Sequence, residues 1–213
     1  MGETGREIPA PKRYANIMTL AKLRLVETGR LLDEPLSAFS LESVGNHFRK
    51  VIEAVAYAAM IAGEMEFGQI PRQIQNHWNA ADILKFLDRK NLLRLPKRTL
   101  IEDDPSGEGH KYTVFDGTTE LLPWLLEVYG QVHFFAHEAN PYAQWQYYAG
   151  LTEDFLVEQQ SIAVDLRRHF VDWLWQHVIQ LEDKWYVVSL GAYDQSSAIV
   201  FGIPLPKQVD QKG

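Results

Sequence analysis

The sequence predicts a mainly α protein, a helical bundle with a small β-hairpin insertion and a C-terminal β-hairpin. Three observations predict it. Apolar residues recur every three or four positions in several long segments, which is the period of a helix that packs against a core. Two β-leaning strings flank a polar turn near the middle of the chain, and two more lie near its C-terminus. With 213 residues, 46% of them hydrophobic, the chain is long enough for one domain over residues 1–213.

Two helices are predicted in the N-terminal part, joined by a short turn. Residues 1–13 mix glycine, proline and charge, and we expect them to form a flexible arm. From Tyr14, apolar residues at helical spacing predict a first helix that Gly29 ends. A turn around Pro35 brings the next helix back alongside the first, as an antiparallel pair.

The next helix, Leu41 to Gly63, is the element around which we expect the other helices to pack. Ser40 is expected to cap it, and Phe39 to contact Val44 as a hydrophobic staple. The predicted buried face steps by three and four residues: Leu41, Val44, Phe48, Val51, Val55, Ala58, Ala59 and Ala62. A polar stripe follows the other side of the helix: Glu42, Asn46, Arg49, Glu53 and Tyr57.

A helix and a hairpin are predicted in the middle of the chain. Asn79 is expected to cap a helix that ends near Asn91, with Asp82 three residues after the cap. The strings RTLIE and HKYTVF, with the polar cluster DDPSGEG between them, predict the hairpin insertion.

Two more helices and a second hairpin complete the predicted fold. One helix opens at Thr118 or Thr119 and ends before Pro141. A long one starts at Thr152 and continues toward Leu181. The strings KWYVVSLGAYD and SSAIVFGIPLP then predict two C-terminal strands joined by polar turn residues.

Composition excludes several classes of function. The chain has no cysteine, so it has no disulfide, thiolate metal site or cysteine nucleophile. A net charge of −7 disfavours RNA as a partner, because phosphate binding depends on clustered Lys and Arg. The N-terminal string MGETGREIPAPKR lacks the apolar core of a signal peptide, and no run reaches the roughly 18 apolar residues of a membrane span. We therefore expect a cytoplasmic protein without membrane contact.

Three strings carry a resemblance to a known family: NHFRKVIEAVAYAAMIA, HWNAADILKFLDRKN and VYGQVHFFAHEANP. Together they resemble an uncharacterised bacterial branch of the HEPN helical-bundle superfamily, over about Leu41 to Pro141. The most specific points are Phe48-Arg49-Lys50 with Glu53, the helix start at Trp78, and His137 with Asn140-Pro141. The resemblance implies a helical bundle that often forms dimers, in bacterial defence or toxin–antitoxin systems, with ribonuclease activity in some branches.

The first candidate site combines the polar stripe with a later helix. Arg49 and Glu53 are spaced so that their charges can meet. We expect them to face the helix that carries His137, with Asn140 closing one end, because a central helix cannot keep a whole polar stripe in water. The alternative is a structural ion pair without a role in function.

A second candidate follows from the resemblance, since active HEPN ribonucleases carry an Arg followed a few residues later by a His. Arg72 and His77 in PRQIQNHW have that spacing, with His as general acid-base and Arg stabilising the phosphorane charge. The pair departs from the family in following a proline and in lacking a polar residue directly after the Arg. The alternative is a surface loop.

Metal and cofactor sites have little support. His133 and His137 lie four residues apart, so both imidazoles could bind one metal ion, but HFFAH lacks the glutamate of HExxH. The alternative is a half-buried, hydrogen-bonded His133. Neither GxGxxG nor GxxxxGK[ST] occurs, and we expect no cofactor.

These observations predict a HEPN-like protein that acts by protein association in a bacterial defence or toxin–antitoxin-type system, and not by strong catalysis. The alternatives are a metal-independent HEPN-type endoribonuclease and a small-ligand sensor with an interhelical pocket. We also expect a homodimer, because the chain has more large aromatic residues than one core of this size usually needs: Trp124, Trp145, Trp173 and Trp175.

Overall fold

The computed structural model of the protein describes residues 8–103, 105, 110–115, 118–135, 152–192 and 196–204. The described part is mainly helical and has a small antiparallel sheet, in agreement with the predicted class. Its elements, in chain order, are α1 (Ala10–Leu32), α2 (Ala38–Phe67), α3 (Arg72–Gln75), α4 (Ala80–Arg89), β1 (Lys97–Asp103), β2 (His110–Val114), α5 (Thr118–Phe135), α6 (Glu153–Leu174), β3 (Gln176–Gln180), β4 (Lys184–Ser189) and β5 (Ile199–Pro204).

Helix α1 is longer than predicted at both ends. It begins at Ala10, so residues 10–13 are helical and do not belong to an arm; residues 1–7 lie outside the described residues. Prolines before and inside the first turn favour this start, because their fixed φ angle is helical. Gly29 does not end the helix. A Cβ at Gly29 would lie 2.7 Å from the Arg167 guanidinium, so this glycine lets α6 approach α1 closely.

Helices α1 and α2 form the predicted antiparallel pair. Near the start of α1, Arg13 is ion-paired with Glu64, near the end of α2. Further along α1, Arg24 Nη1 lies 3.3 Å from Nδ1 of His47, in the first half of α2. The order of these contacts is reversed along the two helices, as an antiparallel pair requires.

The predicted core of α2 is confirmed, but its start and end are not where we expected them. All eight residues of the predicted buried face are buried. Ser37, and not Ser40, is the N-cap, and the two serines form a capping box in which each side chain bonds the other's backbone N–H. Phe39 is 80% exposed, so the predicted staple is wrong. The helix continues past Gly63 to Phe67, and Gly68 caps it with a φ of 76°, which suits glycine at a helix end.

Helix α4 confirms its predicted cap, whereas α6 ends earlier than predicted. The Asn79 side chain accepts the backbone N–H of Asp82 at 3.1 Å. Thr152 caps α6 as predicted, through the N–H of Phe155. Helix α6 stops at Leu174 and does not continue to Leu181, because the residues after it pair as a strand on both sides.

That strand, β3, joins the two predicted hairpins into one sheet of five antiparallel strands. The order is β2-β1-β3-β4-β5, so the hairpin insertion and the C-terminal hairpin flank β3. His177 and Ile179 of β3 are both buried. Ile179 belongs to the hydrophobic core, and His177 lies beside Tyr14 of α1. The sheet therefore closes one side of the helical core.

Trp124, Trp173 and Trp175 pack within their own chain, whereas Trp78 is 70% exposed. The rings of Trp124 and Trp173 lie 6.1 Å apart, edge to face, beside Phe170. The indole N–H of Trp173 donates to the Pro96 carbonyl, and that of Trp175 to the Gly191 carbonyl. These residues give no support to the dimer prediction, and Trp145 lies outside the described residues. No helix in the described part has both the length and the apolar character that crossing a membrane requires.

Candidate functional site

The predicted pair of the polar stripe forms, and a second cation joins it. Arg49 Nε donates to Glu53 Oε1 at 3.1 Å, and Lys50 Nζ donates to Glu53 Oε2 at 2.7 Å. The side chains of Arg49 and Glu53 are only 18% and 11% exposed, whereas that of Lys50 is 55% exposed. Each oxygen of Glu53 therefore has a cationic partner on its own helix, which suits a structural ion pair.

Other members of the stripe are less buried than we expected. Glu42 and Asn46 are exposed, and Arg49 and Tyr57 are intermediate. The Tyr57 hydroxyl lies 3.5 Å from the backbone oxygen of His77, at the limit of a hydrogen bond. Most of the stripe reaches water, so only Glu53 needed buried partners.

The helix that was expected to face this pair is described only in part. Helix α5 includes the backbone of His133, but its side chain, and all of His137 and Asn140, lie outside the described residues. Their arrangement with Arg49 and Glu53, and the weak metal site of the two histidines, stay predictions. Within the described residues, no group of three or more His, Asp or Glu side chains could hold a metal ion.

The ribonuclease candidate lies at the short helix α3. Arg72 is its first residue and His77 follows its end, and both are exposed. No hydrogen bond or ion pair among the described contacts joins them. They form a surface segment in this structure, and their catalytic role stays a prediction.

A groove lies between α1, α2 and α3, and it is a candidate for the interhelical pocket of the ligand-sensor alternative, although the sequence did not indicate its residues. Its volume is about 690 Å³, within the usual range of sites for small organic molecules. Apolar side chains line part of it, and polar ones the rest: Ile17, Met60, Ile61 and Ile70, with Arg13, Asn16, Tyr57, Glu64, Gln69 and Gln75. Local spacing carries no signal for it, because Arg13 and Glu64 are 51 positions apart in the sequence.

Comparisons with protein-family models, with curated proteins and with solved structures give no match to this chain. The proposals for its function therefore depend on its own residues and geometry.

Proposed function

We propose that this protein acts by association with other protein chains, and that one partner is a second copy bound through strand β5. The observation that carries the proposal is the contrast between the two edges of the sheet as the described strands form it. Strand β5, IVFGIP, contains no ionisable residue, and Ile199 is 60% and Phe201 39% exposed. The other edge strand, β2, begins with His110 and Lys111, both exposed.

Charge explains why this contrast matters. Natural edge strands are commonly protected by charged side chains, and β2 follows that rule while β5 does not. Two copies with a net charge of −7 each repel one another over most of their surface. An uncharged edge is where two copies can approach and pair their backbones, with like strands antiparallel across a two-fold axis.

In keeping with the sequence resemblance to the HEPN superfamily, we propose that such a dimer works in a bacterial defence or toxin–antitoxin-type system with a further protein partner. Two features favour association over strong catalysis. The Glu53 carboxylate is already ion-paired with two side chains, Arg49 and Lys50. Arg72 makes no described contact with His77.

Light scattering tests the dimer across a range of concentrations. We expect the protein to have twice the chain mass of 24.5 kDa. Phe201→Lys should give a monomer, because Phe201 lies near the middle of β5, where a two-fold axis brings the two introduced charges close together across the new sheet. Leu100→Lys is the matched control, since Leu100 is 43% exposed but belongs to a strand with neighbours on both sides. A wild-type mass of 24.5 kDa at all concentrations contradicts the proposal.

Incubation with transfer RNA and total RNA, with and without EDTA, tests the ribonuclease alternative. Cleavage that survives EDTA and is abolished by both Arg72→Ala and His77→Ala would show that the protein is a metal-independent ribonuclease. We expect no such cleavage.

A further inference from the structure

The groove between α1 and α2 has an ion pair among its lining residues. The guanidinium of Arg13 contacts Glu64 through Nη2, and the two side chains are 32% and 31% exposed. Both residues line the groove, so the exposed part of the pair is accessible to a molecule bound there. The pair is neutral as a whole, and it presents hydrogen-bond donors beside an acceptor.

This arrangement selects the charge of a ligand. Because the pair has no net charge, it gives a charged group no net attraction: a carboxylate is attracted by Arg13 but repelled by Glu64, and an ammonium group the reverse. An uncharged ligand with an N–H next to a carbonyl would instead donate to Glu64 and accept from Arg13. Apolar side chains such as Ile17, Met60 and Ile70 would contact the rest of the molecule.

The Arg13 side chain also has an unused donor. Its Nε is buried and, among the described residues, has no hydrogen-bond partner. A buried donor without a partner is unfavourable, so a change that gives it an acceptor is favoured. A ligand carbonyl placed against the Arg13 side chain would offer it a further acceptor, beside the Glu64 carboxylate that Nη2 already contacts.

We propose that this groove binds a small uncharged lactam, a ring whose amide N–H and carbonyl lie side by side, with the Arg13–Glu64 pair recognising that edge. The site is separate from β5 and from the Arg49–Glu53 pair. Its occupation therefore does not depend on whether the protein forms a dimer.

Titration followed by methyl NMR tests the proposal on the full chain, with isoquinolin-1-one as the probe. The Ile17 and Met60 methyl signals should shift, with a Kd at or below about 1 mM. Isoquinoline has the same ring system without the amide edge, and 1-naphthoate carries a negative charge; both should bind at least about tenfold more weakly. Equal binding of isoquinolin-1-one and isoquinoline, or no shift with isoquinolin-1-one, overturns the proposal.

Three variants assign the binding to the groove. Arg13→Met should weaken binding of isoquinolin-1-one by about tenfold or more, whereas Arg24→Met, on the same helix but paired with His47, should not. Ile17→Trp keeps the ion pair and fills the groove, so it should abolish binding even if Arg13→Met does not fold. Unchanged affinity in folded Arg13→Met or in Ile17→Trp overturns the assignment.

Discussion

The Tyr14 hydroxyl lies 3.0 Å from Nε2 of His177, and both residues are completely buried. Nδ1 of the same ring lies 2.8 Å from the Leu174 carbonyl, which can only accept a hydrogen bond. The imidazole therefore donates from Nδ1 and accepts the Tyr14 proton at Nε2. This chain of two bonds ties α1 to the junction between α6 and β3.

Removing the Tyr14 hydroxyl should destabilise the fold. Tyr14→Phe leaves Nε2 of His177 buried without a donor, and we expect a loss of about 1–3 kcal/mol in the free energy of unfolding. Urea denaturation measures it. Tyr57→Phe is the control, because the Tyr57 hydroxyl is as far as 3.5 Å from its acceptor and Tyr57 is partly exposed. Its free energy of unfolding should fall by less than about 0.5 kcal/mol. Equal losses in the two variants would contradict the role of the Tyr14 bond.

Stability should fall in mild acid because of His177. Burial lowers the pKa of His177 from 6.5 to about 4. The unfolded chain therefore binds more protons between these values, and stability rises with pH in this window. The stabilisation that depends on a neutral His177 is fully present above pH 6.5 and is lost as the pH falls toward 4. The total change in the free energy of unfolding is about 3 kcal/mol.

His177→Gln isolates this effect. The pKa of His47 is also lowered, chiefly by burial and also by Arg24, so the wild-type slope contains more than one histidine. Urea denaturation of wild type and His177→Gln between about pH 5 and 7 should show a shallower pH dependence in the variant. Parallel curves would show that His177 is not the group that titrates.

The Glu53 network should depend on Arg49 more than on Lys50. Arg49→Ala leaves a nearly buried carboxylate with one exposed partner, and we expect a loss of about 1–3 kcal/mol. Lys50→Ala should cost less than about 1 kcal/mol, because its ammonium group is exposed to water. Thermal or urea denaturation of both variants measures the difference, and the reverse order would contradict it.

A double variant separates packing from function at the same pair. Arg49→Met with Glu53→Leu removes both charges and keeps most of the volume, so the fold should survive. If the folded variant loses its biological phenotype, the pair belongs to a site. We expect the phenotype to remain, as for a structural pair.

Two glycines should respond to alanine in opposite directions. A Cβ at Gly63 would lie 2.9 Å from the Leu92 backbone oxygen, which cannot move like a side-chain tip, and Gly63→Ala should cost about 1–3 kcal/mol. Among the described residues, nothing lies within 4 Å of that position at Gly130 in α5, so Gly130→Ala should stabilise by up to about 1 kcal/mol through helix propensity. Denaturation midpoints of the two variants should move to opposite sides of wild type.

Local spacing allowed much of the helical part to be predicted from the sequence. The Asn79 and Thr152 caps and the Arg49–Glu53 contact depend on residues within about one turn of each other, and the apolar face of α2 repeats at that same spacing. Such interactions form wherever the helix forms, so the order of residues specifies them. The Ser40 cap was wrong by three residues because Ser37 and Ser40 both suit a cap, and the structure uses them together.

Contacts between distant residues were decided only by the tertiary structure. The residues 176–180 continue a helical pattern, but they become β3 because β1 and β4 offer backbone partners on both sides. Gly29 reads as a helix end, yet α1 passes through it since Arg167 packs there from α6. The groove depends on Arg13 meeting Glu64 across an antiparallel helix pair. Spacing along one helix carries no information on that meeting, because the partners belong to different elements and only packing brings them together.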